Sequence, residues 1–224
     1  MHAVAFSFLF GYNGLTLSGE RDDLGDSEAT VAPLDRGGAL RPLALRAHPL
    51  VFGVVLFLAS ELMFFAGLFA AYFDLRSQTL VWPPTNVHLN VIESGIGTLL
   101  LGYSSGAMLL FTRALARDNV SVARLWLSTS IMAGIAFLAI AMHGWSSNTF
   151  GVASDAYGSV FYTMTGFHAL HVAVGILLLC ALFFGLRNPA LSANHRAGAE
   201  AISYYWHFVF IVWVAIWGTI YLIR

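Results

Sequence analysis

Glu61 is the thirteenth residue of a 25-residue apolar run, 49 to 73, that holds no other charged side chain. A charge at the centre of a segment able to cross a bilayer costs about 2.5–3.5 kcal/mol on insertion scales, so such a residue faces a bundle interior, a cavity or a partner. Two readings stand for it. One is a neutral carboxyl hydrogen-bonded to a neighbouring helix; the other is proton handling, or binding of a lipid headgroup or a partner subunit. No Lys or Arg lies inside the apolar runs, so Glu61 is expected to have no internal basic partner. His168 and His171 stand at i, i+3, a spacing that puts both on one helix face and predicts a common partner. His207 lies near the start of the last apolar run and His143 near the end of the third. Histidines on opposing helices raise b-type haem ligation, and His168 or His171 with His207 are at compatible depths, whereas His143 lies toward the other face. A carboxylate with two or three His also raises a non-haem metal, but His168-x-x-His171 has no matching Glu-x-x-His elsewhere. Hydrogen-bonded or lipid-contacting roles are therefore expected for these histidines. Cys180 stands alone, which excludes an internal disulfide, a CxxC redox motif, a thiolate zinc cage and c-type haem attachment.

The elements that hold these residues are legible from composition. Of 224 residues, 58% are hydrophobic and 10% charged, against about 25% charged in soluble domains; mean hydropathy is +0.73. All eleven basic residues are Arg and the net charge is -1, so no nucleic acid is expected as a partner. Charge-poor runs cover 49 to 73, 94 to 112, 125 to 146, 156 to 186 and 201 to 223. About 20 apolar residues cross a hydrocarbon core, and continuous runs in place of alternation exclude a β-barrel. The expected fold is all-α: a bundle of five transmembrane helices at about 49–73, 88–112, 125–146, 157–186 and 201–223. The fourth should tilt or project, with Asp155 or Ser159 as N-cap. Gly102-x-x-x-Gly106, and Gly67 with Ala71, have the spacing of close helix approach.

Arginines set the orientation. Arg36, Arg41, Arg46, Arg113, Arg117, Arg124, Arg187 and Arg196 fall on the side of the N-terminus, and Arg76 and Arg224 on the other. This predicts a multi-pass bacterial membrane protein with its N-terminus in the cytoplasm and its C-terminus outside. Trp82, Pro83, Pro84, Trp126 and Trp145 are expected as interfacial anchors. Residues 1–47 are read as a flexible cytoplasmic tail, polar from about 19 to 41. Their apolar stretch 3–10 is too short to span and lacks the basic flank of a signal peptide.

Three ordered motifs resemble subunit III of the haem-copper oxidases in its short, five-helix bacterial form. The first is His48-Pro49, Phe52-Gly53 and Ser60-Glu61-Leu62-Met63-Phe64-Phe65-Ala66-Gly67, with Trp82-Pro83-Pro84 after it. The second is Asp155-Ala156-Tyr157-Gly158-Ser159-Val160-Phe161-Tyr162, then Thr165-Gly166-Phe167-His168-Ala169-Leu170-His171-Val172 and Gly175. The third is His195 and Glu200, then Tyr204-Tyr205-Trp206-His207-Phe208-Val209 and Val212-Trp213. The resemblance covers about 48 to 224. It departs from the family at Phe210, where Asp is common, at Ala141 and Gly144, where Gln and Glu are common, and at Ala169, where Gly is.

The resemblance implies a subunit without a redox centre. It would pack on the catalytic subunit I of cytochrome c oxidase and other respiratory-complex subunits, with haem and copper held by those partners and phospholipid bound in a cleft. It implies that Glu61 and His171 line the lipid-bearing region, and that the subunit sustains proton uptake and protects the catalytic subunit from turnover inactivation in aerobic respiration. Glu61, His168, His171, Arg187, His195, Glu200, Trp206 and His207 are the residues expected to be proton-linked or lipid-contacting; none is expected to be catalytic. Arg187 and Arg196 are placed for anionic headgroups. Alternatives are subunit III of a quinol oxidase, a nitric-oxide-reductase accessory protein, a haem-binding membrane protein, and a small transporter with Glu61 as its coupling acid. The last lacks an inverted repeat.

Overall fold

A computed structural model describes residues 49–84, 87, 89–186 and 192–223. The expected tail, 1–47, and Arg187 lie outside the described residues, as do the side chains of His195 and Arg196. Five helices follow one another: α1 Pro49–Ser77, α2 Val91–Ala116, α3 Val120–Ser147, α4 Ala156–Gly185 and α5 Ser192–Trp217, the last continued by a π turn, Gly218–Leu222. Each is long and apolar enough to cross a membrane.

The helices outrun the apolar stretches that announce them. At 26 to 30 residues each, with a rise of about 1.5 Å per residue, they reach about 39–45 Å against a core of roughly 30 Å. Excess length is therefore shared by all five and not special to the fourth. The largest extension is α5, which starts at Ser192, nine residues before the expected boundary, because a polar segment barred from hydrocarbon is free to stay helical beyond it. At α4 the N-cap is Asp155, whose Oδ1 accepts from the Gly158 N–H at 2.6 Å; Ser159 turns instead to the Val152 carbonyl at 2.6 Å.

Helices α2 and α3 form a tight hairpin. Asp118 takes a left-handed conformation, φ 57, and Asn119 caps α3 by accepting from the Val122 N–H at 3.2 Å, so two residue types that tolerate such turns reverse the chain. Ser104 and Ser130 lock the pair reciprocally: each hydroxyl donates to the other's carbonyl, at 2.8 and 3.0 Å. Arg124 of α3 donates to the Leu186 carbonyl at the end of α4 at 2.5 Å, closing an orphan helix C-terminus.

Helix α5 is the centre, packed against α1, α2 and α4. Its indoles donate to successive hydroxyls along antiparallel α2: Trp206 to Ser104 at 3.0 Å, Trp213 to Thr98 at 2.9 Å and Trp217 to Ser94 at 3.1 Å. This ladder fixes the α2–α5 register. The Trp206 ring fills the space beside two glycines; a Cβ on Gly175 would stand 2.5 Å from it and one on Gly134 3.1 Å. The expected GxxxG contacts are not the close approaches. Gly106 and Gly67 face open space, and Gly102 meets only the Phe210 ring. Helix α1 lies outermost. Val54, Leu58, Glu61, Phe65, Leu68, Tyr72 and Leu75 are its shielded stripe, spaced three and four apart as a seam of facing helices requires. Phe52, Leu56, Leu62 and Met63 point away from the bundle.

Candidate functional site

The seam brings Glu61 of α1 to His171 of α4. Glu61 Oε2 and His171 Nε2 are 3.0 Å apart, with both side chains largely shielded, 18% and 13% exposed. The expectation that Glu61 lacks a basic partner is thus corrected: it counted only Lys and Arg, while the partner is an imidazole 110 residues later.

The protonation of the pair follows from its hydrogen bonds. His171 Nδ1 lies 2.7 Å from the Phe167 carbonyl oxygen, an atom that only accepts, so Nδ1 carries its proton and donates. One proton then joins Nε2 to Glu61. Either protonated Glu61 donates to a neutral imidazole, or an imidazolium donates to a carboxylate; in both the pair has no net charge. A carboxyl near the middle of a span thereby avoids the cost of an isolated charge. Phe65 lies edge-on to the His171 ring at 5.2 Å, and Phe64 to Phe167 at 5.0 Å. Tyr205 of α5 donates to the His171 carbonyl at 2.9 Å and fixes that turn. Met63 and Leu170 are exposed beside it, giving an apolar surface with one shielded ionisable pair beneath.

The i, i+3 spacing does not deliver a common partner. His168 turns into the bundle, 1% exposed, stacked on Trp213 at 5.0 Å and edge-on to Phe137 at 5.9 Å. Three residues subtend about 300°, leaving a divergence of about 60°, and at the rim of a helix–helix seam this separates a core-facing residue from a seam-facing one. His207 Nδ1 sits 2.6 Å from Ser105 Oγ. His168, His171 and His207 therefore have different neighbours, and among the described residues no three His, Cys, Asp or Glu gather as metal ligands. Trp206 is also 1% exposed, packed beside Gly134 and Gly175, whereas His168 is enclosed by Trp213 and Phe137. Glu200 is exposed and accepts from the Tyr204 hydroxyl at 3.0 Å. With Thr112, Ser203 and His207 it lines a groove between α2 and α5. Arg187 and the side chain of His195 lie outside the described residues.

A second acid–imidazole pair escapes the motif reading. Glu93 Oε1 and His143 Nδ1 are 2.6 Å apart where α2 begins and α3 ends, His143 being 70% exposed. Half of its signal was present: Asn90-x-x-Glu93 is an N-cap with an acid at the third position. Asn90 Oδ1 accepts from the Glu93 N–H at 3.2 Å and its Nδ2 donates to Glu93 Oε2 at 3.3 Å. The His143 half is set by the hairpin and has no local mark.

Five spanning helices, an acid–imidazole pair across an outer seam and an indole–hydroxyl ladder at the centre define a polytopic α-helical membrane protein. A family profile described as Cytochrome c oxidase subunit III matches residues 44–223, and the chain belongs to that family. It is 41% identical over 179 residues to the probable cytochrome c oxidase subunit 3 of Mycobacterium tuberculosis (strain ATCC 25618 / H37Rv), covering 77% of this chain and 87% of that protein. It is 35% identical over 175 residues to cytochrome c oxidase subunit 3 of Synechocystis sp., covering 77% and 75%. With that of Corynebacterium diphtheriae it shares 35% over 208 residues, covering 88% and 99%.

Proposed function

We propose that this chain is the non-catalytic subunit III of a cytochrome c oxidase of a bacterial cell membrane. It packs on the catalytic subunit, which carries the haem and copper, holds phospholipid along the α1–α4 seam, and supports proton uptake during oxygen reduction. The excess of arginine on one side supports an N-terminus in the cytoplasm and a C-terminus outside. The observation that carries the reading is the Glu61–His171 pair: a group that can hold one shared proton on either of two atoms and has no net charge in either state. Around it Met63, Phe64, Phe167 and Leu170 are exposed, an apolar surface suited to acyl chains.

The test is Glu61→Gln in the assembled complex. A glutamine N–H still donates to His171 Nε2, so subunit III is expected to co-purify at parental stoichiometry, with change confined to proton uptake or to the phospholipid retained on mass analysis. Loss of the subunit from the complex, or parental behaviour in both readouts, overturns the assignment of this pair. Family-level function has its own check, a reduced-minus-oxidised spectrum of material purified through a tag on this chain. Haem a accompanying larger subunits, and absent once this chain is stripped of them, is expected; haem kept by the isolated chain points to His168, His171 or His207 as ligands.

A further inference from the structure

A cavity of about 280 Å³ lies among α2, α3, α4 and α5, at the end of the bundle where α2 begins and α3 ends. The Glu93–His143 pair stands at its mouth, Ala141, Gly144 and Ala169 form its walls, and His168 closes its inner end. Most polar groups along it are already bonded: the Ser94 hydroxyl accepts from Trp217 and that of Thr165 donates to the Phe161 carbonyl at 2.7 Å. His168 is different. It is 1% exposed, and neither ring nitrogen has a hydrogen-bond partner among the described residues. A neutral imidazole has one donor and one acceptor, and buried groups of that kind are rarely left unmet. Trp213 covers one ring face and gives its own N–H to Thr98, while Phe137 offers no hydrogen-bonding atom. Both nitrogens have under 1 Å² of accessible surface, so a partner reaches them only from the cavity that His168 lines, and only with a small shift of its walls.

We propose that this cavity is a hydrated inlet, carrying water from the Glu93–His143 mouth to the His168 imidazole in the middle of the membrane. Its volume holds several waters, and Asn90, Glu93, His143 and Asn148 supply the two to four polar partners each water needs near the mouth. A lipid chain is the wrong occupant, because hydrocarbon would leave His168 unpartnered at one end and lie against the polar Glu93–His143 pair at the other. Neighbouring histidines of α4 thus have separate surroundings, His171 the Glu61 carboxyl and His168 the inner end of the inlet. With the orientation proposed above, the mouth faces the outer aqueous phase; only that clause rests on the earlier reading.

Cysteine accessibility in the full complex, in sealed membrane vesicles and a Cys180→Ser background, tests this. Small charged methanethiosulfonates react with thiolates, which form where water reaches. Ala141→Cys on α3 and Ala169→Cys on α4 are expected to react at least ten-fold faster than Leu170→Cys, whose position is 52% exposed on the outer surface of α4. A Cβ built at Gly144 meets nothing within 4 Å, so adding Gly144→Leu narrows the inlet and should slow Ala141→Cys about ten-fold. If the wall cysteines react no faster than Leu170→Cys, or Gly144→Leu changes nothing, the inlet is overturned. One assembled wall variant suffices, since the two stand on different helices. Reaction only from the cytoplasmic side keeps the inlet and reverses the orientation.

Discussion

The Glu61–His171 pair carries one proton whichever partner holds it, so its two halves are unequal under mutation. His171→Leu leaves a protonated Glu61 without its acceptor, a loss of about 1–3 kcal/mol for an unmet buried group, whereas Glu61→Gln keeps a donor on Nε2. We expect His171→Leu to lower the temperature at which the purified complex releases this subunit, and Glu61→Gln to leave it nearly unchanged; equal shifts would refute the inferred donor arrangement. Residue-scale legibility was uneven for a physical reason. Glu61 and His171 were each visible, as an acid in an apolar run and an imidazole on a helix, yet their meeting depends on which stripe of α1 faces α4, and an α1 apolar on all sides does not announce its stripe. His143 illustrates the opposite failure: an exposed residue at a helix end, given its acid only by the α2–α3 turn.

At the scale of elements, the hydroxyl–indole ladder and the glycines beside Trp206 hold the bundle. Ser104 is the busiest rung, exchanging bonds with Ser130 and accepting from Trp206. Interhelical hydrogen bonds in membranes average about 0.6 kcal/mol, so Ser104→Ala should cost about 1–2 kcal/mol and Ser94→Ala less than half as much, read as thermal release of the subunit. The glycines give a sharper contrast. Gly175→Ala drives a methyl into the Trp206 ring and should cost about 1–3 kcal/mol or more by overpacking. Gly106→Ala meets open space and should be neutral or stabilising by up to about 1 kcal/mol, since alanine is the better helix former. Equal effects would mean that the GxxxG spacing, not the ring contact, governs packing. Spans are legible in the sequence because twenty-odd uncharged residues fit few structures. Which small residues are crossed is not, because GxxxG states an ability to approach and the neighbour is chosen by the whole bundle; Gly134 and Gly175, without such spacing, do the work against one tryptophan.

For the whole molecule, the arginine asymmetry predicts that a reporter fused after Arg224 works when it is an enzyme active only outside the cytoplasm, and stays dark when it is a fluorophore that matures only inside. The reverse pattern would invert the topology. The five-helix architecture was readable because each helix is declared by its own residues, whereas the placing of α5 at the centre was not: its apolar run resembles the others, and its rank comes from three indoles that matter only beside α2. That placing bears on biogenesis. Helix α5 leaves the ribosome after its four neighbours, so Ser94, Thr98 and Ser104 wait in the bilayer with their hydroxyls donated within α2 and to α3 but their oxygens not yet met by an indole, and α1 and α4 hold each other by their own seam alone. A chain stalled within α5 is therefore an open cage whose serine and threonine oxygens lack their indole donors, and it closes only when the last helix slides in along α2.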